Sequence, residues 1–326
     1  MRASRWLSAA VLVLGIAHGV AAREARQGSG HLPQRSGTTF RSAINMVALN
    51  VTVTKGQQLI RGLTRDAFVV YEDGVRQEVT FFEASPVPLD LILLLDASSS
   101  MKHRMGTVHH AAIGFMQVLR PDDRGAVVAF NQRVKVMQDL TSDRRAIAEA
   151  IDATAAGGST ALYTALYVSL KEFGKRILAA GEVRRQAIAV LSDGEDTASM
   201  MPLDEVVALA RSLGVAVYTI SIQSPPGRDG VESLSGSSAA HSLRELARET
   251  GARAFFPAGV HQLETVYEEI ADELGAQYSI GYLPSNSRSD GRFRRIQVSL
   301  PQNPEFRPRT RTGYTAGPAL SAGDPH

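Results

Sequence analysis

Between Pro88 and Gly275 the chain alternates between two patterns of apolar and polar positions. Short apolar runs with polar residues only at their ends are followed by longer stretches where apolar residues recur every three or four positions. The first pattern is that of strands buried on both faces of a parallel sheet, the second that of helices packed on it. Strands are predicted at 89–96, 125–130, 133–138, 187–193, 215–222 and 253–257, and helices at 105–119, 143–153, 160–179, 203–213, 241–250 and 260–274. After Thr160, the residues Leu162, Leu166, Leu170 and Phe173 share one helix face, which assigns them to the core. Asp143 and Asp204 stand where helices start. The fold class expected is α/β, a doubly wound, mostly parallel sheet with helices on both faces.

Outside this stretch the period changes to two. Val47, Leu49, Val51 and Val53 alternate with less apolar neighbours. The runs 68–71 and 79–82 follow, joined across Glu72-Asp73-Gly74, which is a hairpin signal. Beyond Gly275, Tyr278, Ile280 and Tyr282 alternate, as do Ile296, Val298 and Leu300 after a polar loop at 284–291, and 310–314 adds a short last strand. Neither flank has enough strands to bury a face alone. The expectation is therefore an N-terminal β segment (43–86) and a C-terminal β segment (277–316) joined in one small module beside an α/β domain at 87–276.

Residues 23–42, rich in Gly, Ser, Arg and Gln, read as a flexible linker, and 317–326 as a disordered tail. Residues 1–22 read as a signal peptide: Arg2 and Arg5, an apolar run from Trp6 to Val20, then Ala21-Ala22. The protein is then exported, periplasmic or extracellular, with a retained N-terminal anchor as the other reading of that segment. A net charge of +2 over 326 residues argues against a dedicated nucleic-acid binder. The absence of cysteine removes disulfides, thiolate catalysis and cysteine metal sites.

Candidate chemistry concentrates at Asp96-Ala97-Ser98-Ser99-Ser100, directly after the strand 89–96. A carboxylate followed by hydroxyls two and four residues on offers three hard oxygens, which suit magnesium, calcium or manganese. The bland reading is a capped helix start. Two later segments favour the metal. Gly157-Gly158-Ser159-Thr160 puts a hydroxyl at the head of a second helix, and Ser192-Asp193-Gly194 puts a carboxylate at the end of another buried strand.

With these three loops, the chain resembles the von Willebrand factor type A domain, in the version found in secreted bacterial proteins. The resemblance implies a metal-ion-dependent adhesion site. Asp96, Ser98 and Ser100 would supply its Asp-x-Ser-x-Ser loop, Thr160 the threonine of the second loop and Asp193 the aspartate of the third. The middle residue of the first loop is Ser99, where bacterial relatives often carry glycine. The expected function is a non-enzymatic, exported module. It binds Mg2+ (or Mn2+ or Ca2+) and captures a protein ligand presenting an Asp or Glu side chain.

Two other classes of function fit the same residues. A metal-dependent hydrolase would use the same ion, with His103 the nearest histidine to serve as base, although that residue also reads as an exposed early-helix side chain. A structural envelope protein would interact through its β module. Arg288, Arg292, Arg294, Arg295, Arg307, Arg309 and Arg311 make the C-terminal segment basic. They read as solvated strand faces or as a contact for an anionic envelope surface. Glu195 and Asp196 read as tuning groups of the ion or as helix-start acids, and the loop 223–238 as a partner-facing rim or an idle insertion. No Gly-Lys-Ser/Thr follows Gly157-Gly158, so this is not a phosphate loop.

Overall fold

The computed structural model describes residues 46–85, 87–179, 184–192, 196–222 and 234–317. Its centre is a six-stranded sheet of β6 (Leu89–Asp96), β7 (Arg124–Phe130), β8 (Val134–Thr141), β9 (Arg185–Ser192), β10 (Ala216–Ser221) and β11 (Ala254–Phe255). The order is β11-β10-β9-β6-β7-β8, parallel throughout except for β8. Six helices connect these strands or follow them: α1 (Met105–Gln117), α2 (Arg144–Asp152), α3 (Leu162–Ala179), α4 (Leu203–Leu213), α5 (Leu234–Glu249) and α6 (Leu263–Leu274).

The unbroken apolar run of β6 follows from its position. Leu91, Leu93 and Leu95 face a core shared with α1, α2 and α6, while Ile92 and Leu94 face one shared with α3, α4 and α5. Alternation disappears because neither face meets water. Leu162, Leu166, Leu170 and Phe173 are all buried in the second core, as their spacing predicts. Asp143 caps α2, its Oδ1 accepting from the N–H groups of Arg145 and Ala146.

The flanks supply two antiparallel sheets. The N-terminal strands are β1 (Val47–Lys55), β2 (Gln58–Leu59), β3 (Val69–Glu72), β4 (Val75–Gln77) and β5 (Val79–Glu83). The C-terminal ones are β12 (Tyr278–Tyr282), β13 (Phe293–Ser299), β14 (Arg307–Arg309) and β15 (Gly313–Thr315). One sheet runs β14-β1-β12-β5 with β2 on β1, the other β15-β13-β3-β4, so each interleaves strands from both ends of the chain. Between them lies a third core, with Val51, Val70, Tyr278, Tyr282, Ile296 and Val298 among its members.

Several expectations are corrected. The Asp73-Gly74 turn does form a hairpin, with both residues at positive φ (49° and 81°). Its second strand, however, is β4; the run 79–82 crosses to the other sheet and pairs with β12. The strand predicted at 133–138 is an antiparallel edge strand and half exposed, because only one of its flanks has a neighbour. The strand at 253–257 shrinks to two residues. The helix predicted at 241–250 begins at Leu234, so part of the expected 223–238 loop is helical although Gly and Ser are poor helix formers. Residues 223–233 lie outside the described residues, as do residues 1–45, the tail from 318, Glu195 and the ligand candidate Asp193. Among the described residues no helix is long and apolar enough to cross a membrane.

The arginines of the C-terminal segment are not all solvated. Arg294 and Arg311 are buried, and Arg309 pairs at 2.6 Å with Glu273, which is 2% exposed. Glu273 ends the last helix at the seam between the central sheet and the flanking strands. It also accepts from Tyr218 Oη at 2.7 Å, and burial together with this carboxylate pushes the tyrosine pKa well up. Beside it Arg185 donates to Leu274 O and to Gln277 Oε1, and burial lowers its pKa to about 10. Removing one member of a buried ion pair strands the other. Glu273→Ala is expected to lower stability by about 3–5 kcal/mol, measured by urea unfolding; a loss within experimental error would show that the seam does not depend on this pair.

Candidate functional site

The first loop leaves the carboxyl end of β6, where parallel sheets present their ligand-facing edge. Asp96, the last residue of β6, is fully buried. Its Oδ1 accepts from Ser98 N–H at 2.8 Å, and its Oδ2 from Ser192 Oγ at 2.6 Å. The second bond ties the end of β6 to the end of β9. Ser98 is buried and Ser100 exposed, and their hydroxyl oxygens are 2.9 Å apart.

The second loop is bonded to the first along its backbone. Ser99 N–H donates to Gly158 O at 2.9 Å, and Gly157 N–H to Ala97 O at 2.7 Å. The Ser99 side chain accepts from Gly158 N–H at 2.9 Å, so the residue that departs from the usual glycine adds a bond between the loops. Asn131 and Gln132, at the end of β7, reach across to donate to Gly157 O and accept from Ser159 N–H. Gly158 has φ +88°, and a Cβ there would sit 1.8 Å from Gln132 Oε1, so the turn requires glycine.

Thr160 follows just ahead of α3 and is 5% exposed. Its backbone holds the third loop: Thr197 and Ala198 N–H groups donate to Thr160 O at 2.9 Å, and Thr160 N–H donates to Thr197 Oγ1 at 3.1 Å. Ser199 Oγ accepts from Thr164 N–H, and Asp196 Oδ1 caps Ser199 N–H. Asp196 is thereby a loop-closing group. Among the described residues, Thr160 Oγ1 has no hydrogen-bond partner.

The structure therefore brings Asp96, Ser98, Ser100 and Thr160 to one edge of the sheet, on loops bonded to each other. The donor set is one buried carboxylate and three hydroxyls, all hard oxygen. Among the described residues no three His, Cys, Asp or Glu side chains gather to hold a metal. A divalent ion fits the donors that are present. The Ser98 and Ser100 hydroxyls hydrogen-bond to each other at 2.9 Å, a separation close to the roughly 3.0 Å between adjacent oxygens around an octahedral ion with bonds of about 2.1 Å. His103 is exposed, and no hydrogen bond or ion pair among the described residues orients it as a base. His109 and His110, neighbours on α1, sit in different surroundings. His109 is half-buried against Thr154 with its pKa lowered by burial, and His110 lies exposed, 3.4 Å from Glu264.

The loop-fixing residues Ser99, Asn131, Gln132, Ser192, Thr197 and Ser199 are not apparent from the ligand pattern. Their sequence signal is only polarity in the loops after β6, β7 and β9.

An open α/β sheet with oxygen-rich loops along its ligand-facing edge defines a binding domain of the doubly wound class. The chain belongs to the von Willebrand factor type A domain family: the family model matches residues 90–269, more than half of the 326 residues. Domains of this family commonly mediate protein–protein interaction and adhesion. Similar curated proteins include an uncharacterized protein of Synechocystis sp., 38% identical over 113 residues, which are 34% of this chain and 26% of that one. A UPF0353 protein of Nocardia farcinica is 26% identical over 215 residues, 59% of this chain and 63% of that one. The chain thus spans less than two thirds of the length of these relatives. Among solved structures, a von Willebrand factor type A protein from Catenulispora acidiphila is 15% identical, with a TM-score of 0.48 over 79% of this chain and 71% of that one. The vWF domain of the type V pili tip protein Mfa5 from Porphyromonas gingivalis is 15% identical, with a TM-score of 0.46 over 58% and 95%.

Proposed function

We propose that this protein is an exported adhesion-type module that captures an acidic residue of a protein partner through a divalent cation, Mg2+ or else Mn2+ or Ca2+. Asp96, Ser98, Ser100 and Thr160 hold the ion, with Asp193 completing the set. The observation that carries the reading is the placement of the Ser98 and Ser100 hydroxyls 2.9 Å apart, on a loop hydrogen-bonded to the one that leads to Thr160. When bound, the ion supplies an electrophilic position that a carboxylate oxygen from outside can fill.

The protein's own residues do the rest. Asp96 brings negative charge without surrendering its fold contacts to Ser98 and Ser192. The Ser99, Asn131, Gln132 and Thr197 bonds fix the loops before a partner arrives, so little ordering entropy is left to lose on binding. Lys102, just after the first loop, and Arg133, between β7 and β8, are exposed, and their positive charge suits an acidic ligand.

The test is capture of partners from the native envelope in magnesium, repeated with EDTA. Recovery of a specific protein in magnesium and its loss in EDTA are expected, and capture that is equal in both buffers would reject the reading. Asn131→Ala tests the loop-fixing claim. It frees the Gly157 carbonyl and is expected to weaken magnesium affinity by about 10–100-fold, as supporting residues of metal sites do; unchanged affinity by calorimetry would separate the loop from the ion.

A further inference from the structure

Arg311 lies in the link between β14 and β15, where the chain crosses from the flanking strands over the ends of α4 and α5. The residue is 9% exposed, and no carboxylate lies within ion-pair distance of it among the described residues. One terminal nitrogen donates to Arg211 O near the end of α4, and the other to Ala48 O of β1 at 2.9 Å. A further donor, Nε–H, is buried and has no partner among the described residues. The neighbouring Thr310 Oγ1 is also buried and has no partner.

Both residues line the same small cavity, about 10 Å³, together with Asn50, Gly214, Thr250 and Gln277. Two orphaned polar atoms around one void are not independent defects. A buried donor left unpaired costs free energy comparable to a lost hydrogen bond, and buried waters occur where a polar cavity leaves such groups unmatched. The volume is that needed for the centre of one water molecule. It leaves no margin for a chloride-sized ion, although burial without a carboxylate, which lowers the Arg311 pKa, would favour an anion on charge alone.

We propose that this cavity is a binding site for a single water molecule, which accepts from Arg311 Nε–H and bonds to Thr310 Oγ1. The water is then a structural part of the seam, completing the fork of the one arginine that grips β1 and α4 together. The space is bounded on the other side by Gly251, where any Cβ would meet the backbone of Thr310 and Arg311 at 2.5 Å. That close approach keeps the cavity from being filled by a side chain at this position.

The sign of one substitution tests this. If the water is present, Thr310→Val removes one of its partners, and the melting temperature is expected to fall by about 2–4 °C, with Thr310→Ser close to the parent protein. If the cavity is dry, Thr310→Val replaces an unsatisfied hydroxyl with a methyl group and the melting temperature stays or rises, which would overturn the proposal. A crystal soaked in bromide gives the second readout. A water-sized peak within hydrogen-bond distance of Arg311 Nε and Thr310 Oγ1, without bromide anomalous signal, is expected. An empty cavity or a bromide peak there would overturn it.

Discussion

Replacing Asp96 with asparagine is expected to weaken divalent-ion binding by on the order of 100-fold or more while leaving the protein folded. The amide keeps the shape of the carboxylate and its Oδ1 still accepts from Ser98 N–H. Ser192 needs only to reverse its hydroxyl, accepting from the new amide instead of donating. What disappears is the negative charge. The contrast with Asp96→Ala is informative, because alanine removes the acceptor of the buried Ser98 N–H, at a cost of about 1–3 kcal/mol. A binding defect in the alanine variant alone would confuse lost ligand with lost structure. The clean readout is thermal unfolding in rising MgCl2. The parent protein gains stability with ion concentration as mass action requires, and Asp96→Asn stays flat. An equal rise in both would remove Asp96 from the ion's surroundings.

The second large effect concerns the flanks. Ending the chain after Ala276 is expected to unfold residues 46–83 while part of the central sheet persists. β12 is the strand between β1 and β5, and β13 is the partner of β3, so both N-terminal sheets lose a central member. Tyr278, Ile280, Tyr282, Ile296, Val298 and Leu300 leave the third core with them. Each such buried side chain contributes about 1.5–3 kcal/mol, far more than isolated hairpins can spare. Hydrogen exchange reads this directly. Amides in 46–83 should exchange as in an unfolded chain, and retained protection would show that the N-terminal strands stand without the C-terminal ones.

Much of this architecture is legible in the sequence, for identifiable reasons. The centres of β6, β9 and β10 are buried on both faces, so nearly every residue there is apolar and the signal is strong. The stripe on α3 and the cap at Asp143 are equally local. The pairing of the two flanks follows from a deficit, because neither has strands enough to cover itself. The failures are non-local. Asp73-Gly74 announces a turn, but three residues of β4 and the crossing at Glu78 depend on which sheet each strand joins. β8 has an apolar start yet becomes an edge. The first turns of α5 are written in Ser and Gly, poor helix formers, so local propensity does not announce them. Arg309 and Arg311 look like surface charge because their partners, Glu273 and main-chain carbonyls, lie across folds of the chain, while Arg294 pairs locally with Asp290, four residues before it.

The candidate site divides the same way. Asp96, Ser98, Ser100 and Thr160 are visible as oxygen donors at strand ends and helix heads. The bonds that hold their loops together come from Ser99, Asn131, Gln132 and Thr197, whose side chains have no chemistry of their own to advertise. They become functional only through the neighbours the sheet order gives them.

The central claim is that hydroxyls from separate loops converge on one divalent ion. Crystals grown with millimolar manganese and measured at its absorption edge test it most directly. The account predicts one strong anomalous peak at the carboxyl end of β6, within bonding distance of Ser98 Oγ and Ser100 Oγ and adjacent to Thr160. Fully ordered loops with no peak there would contradict it.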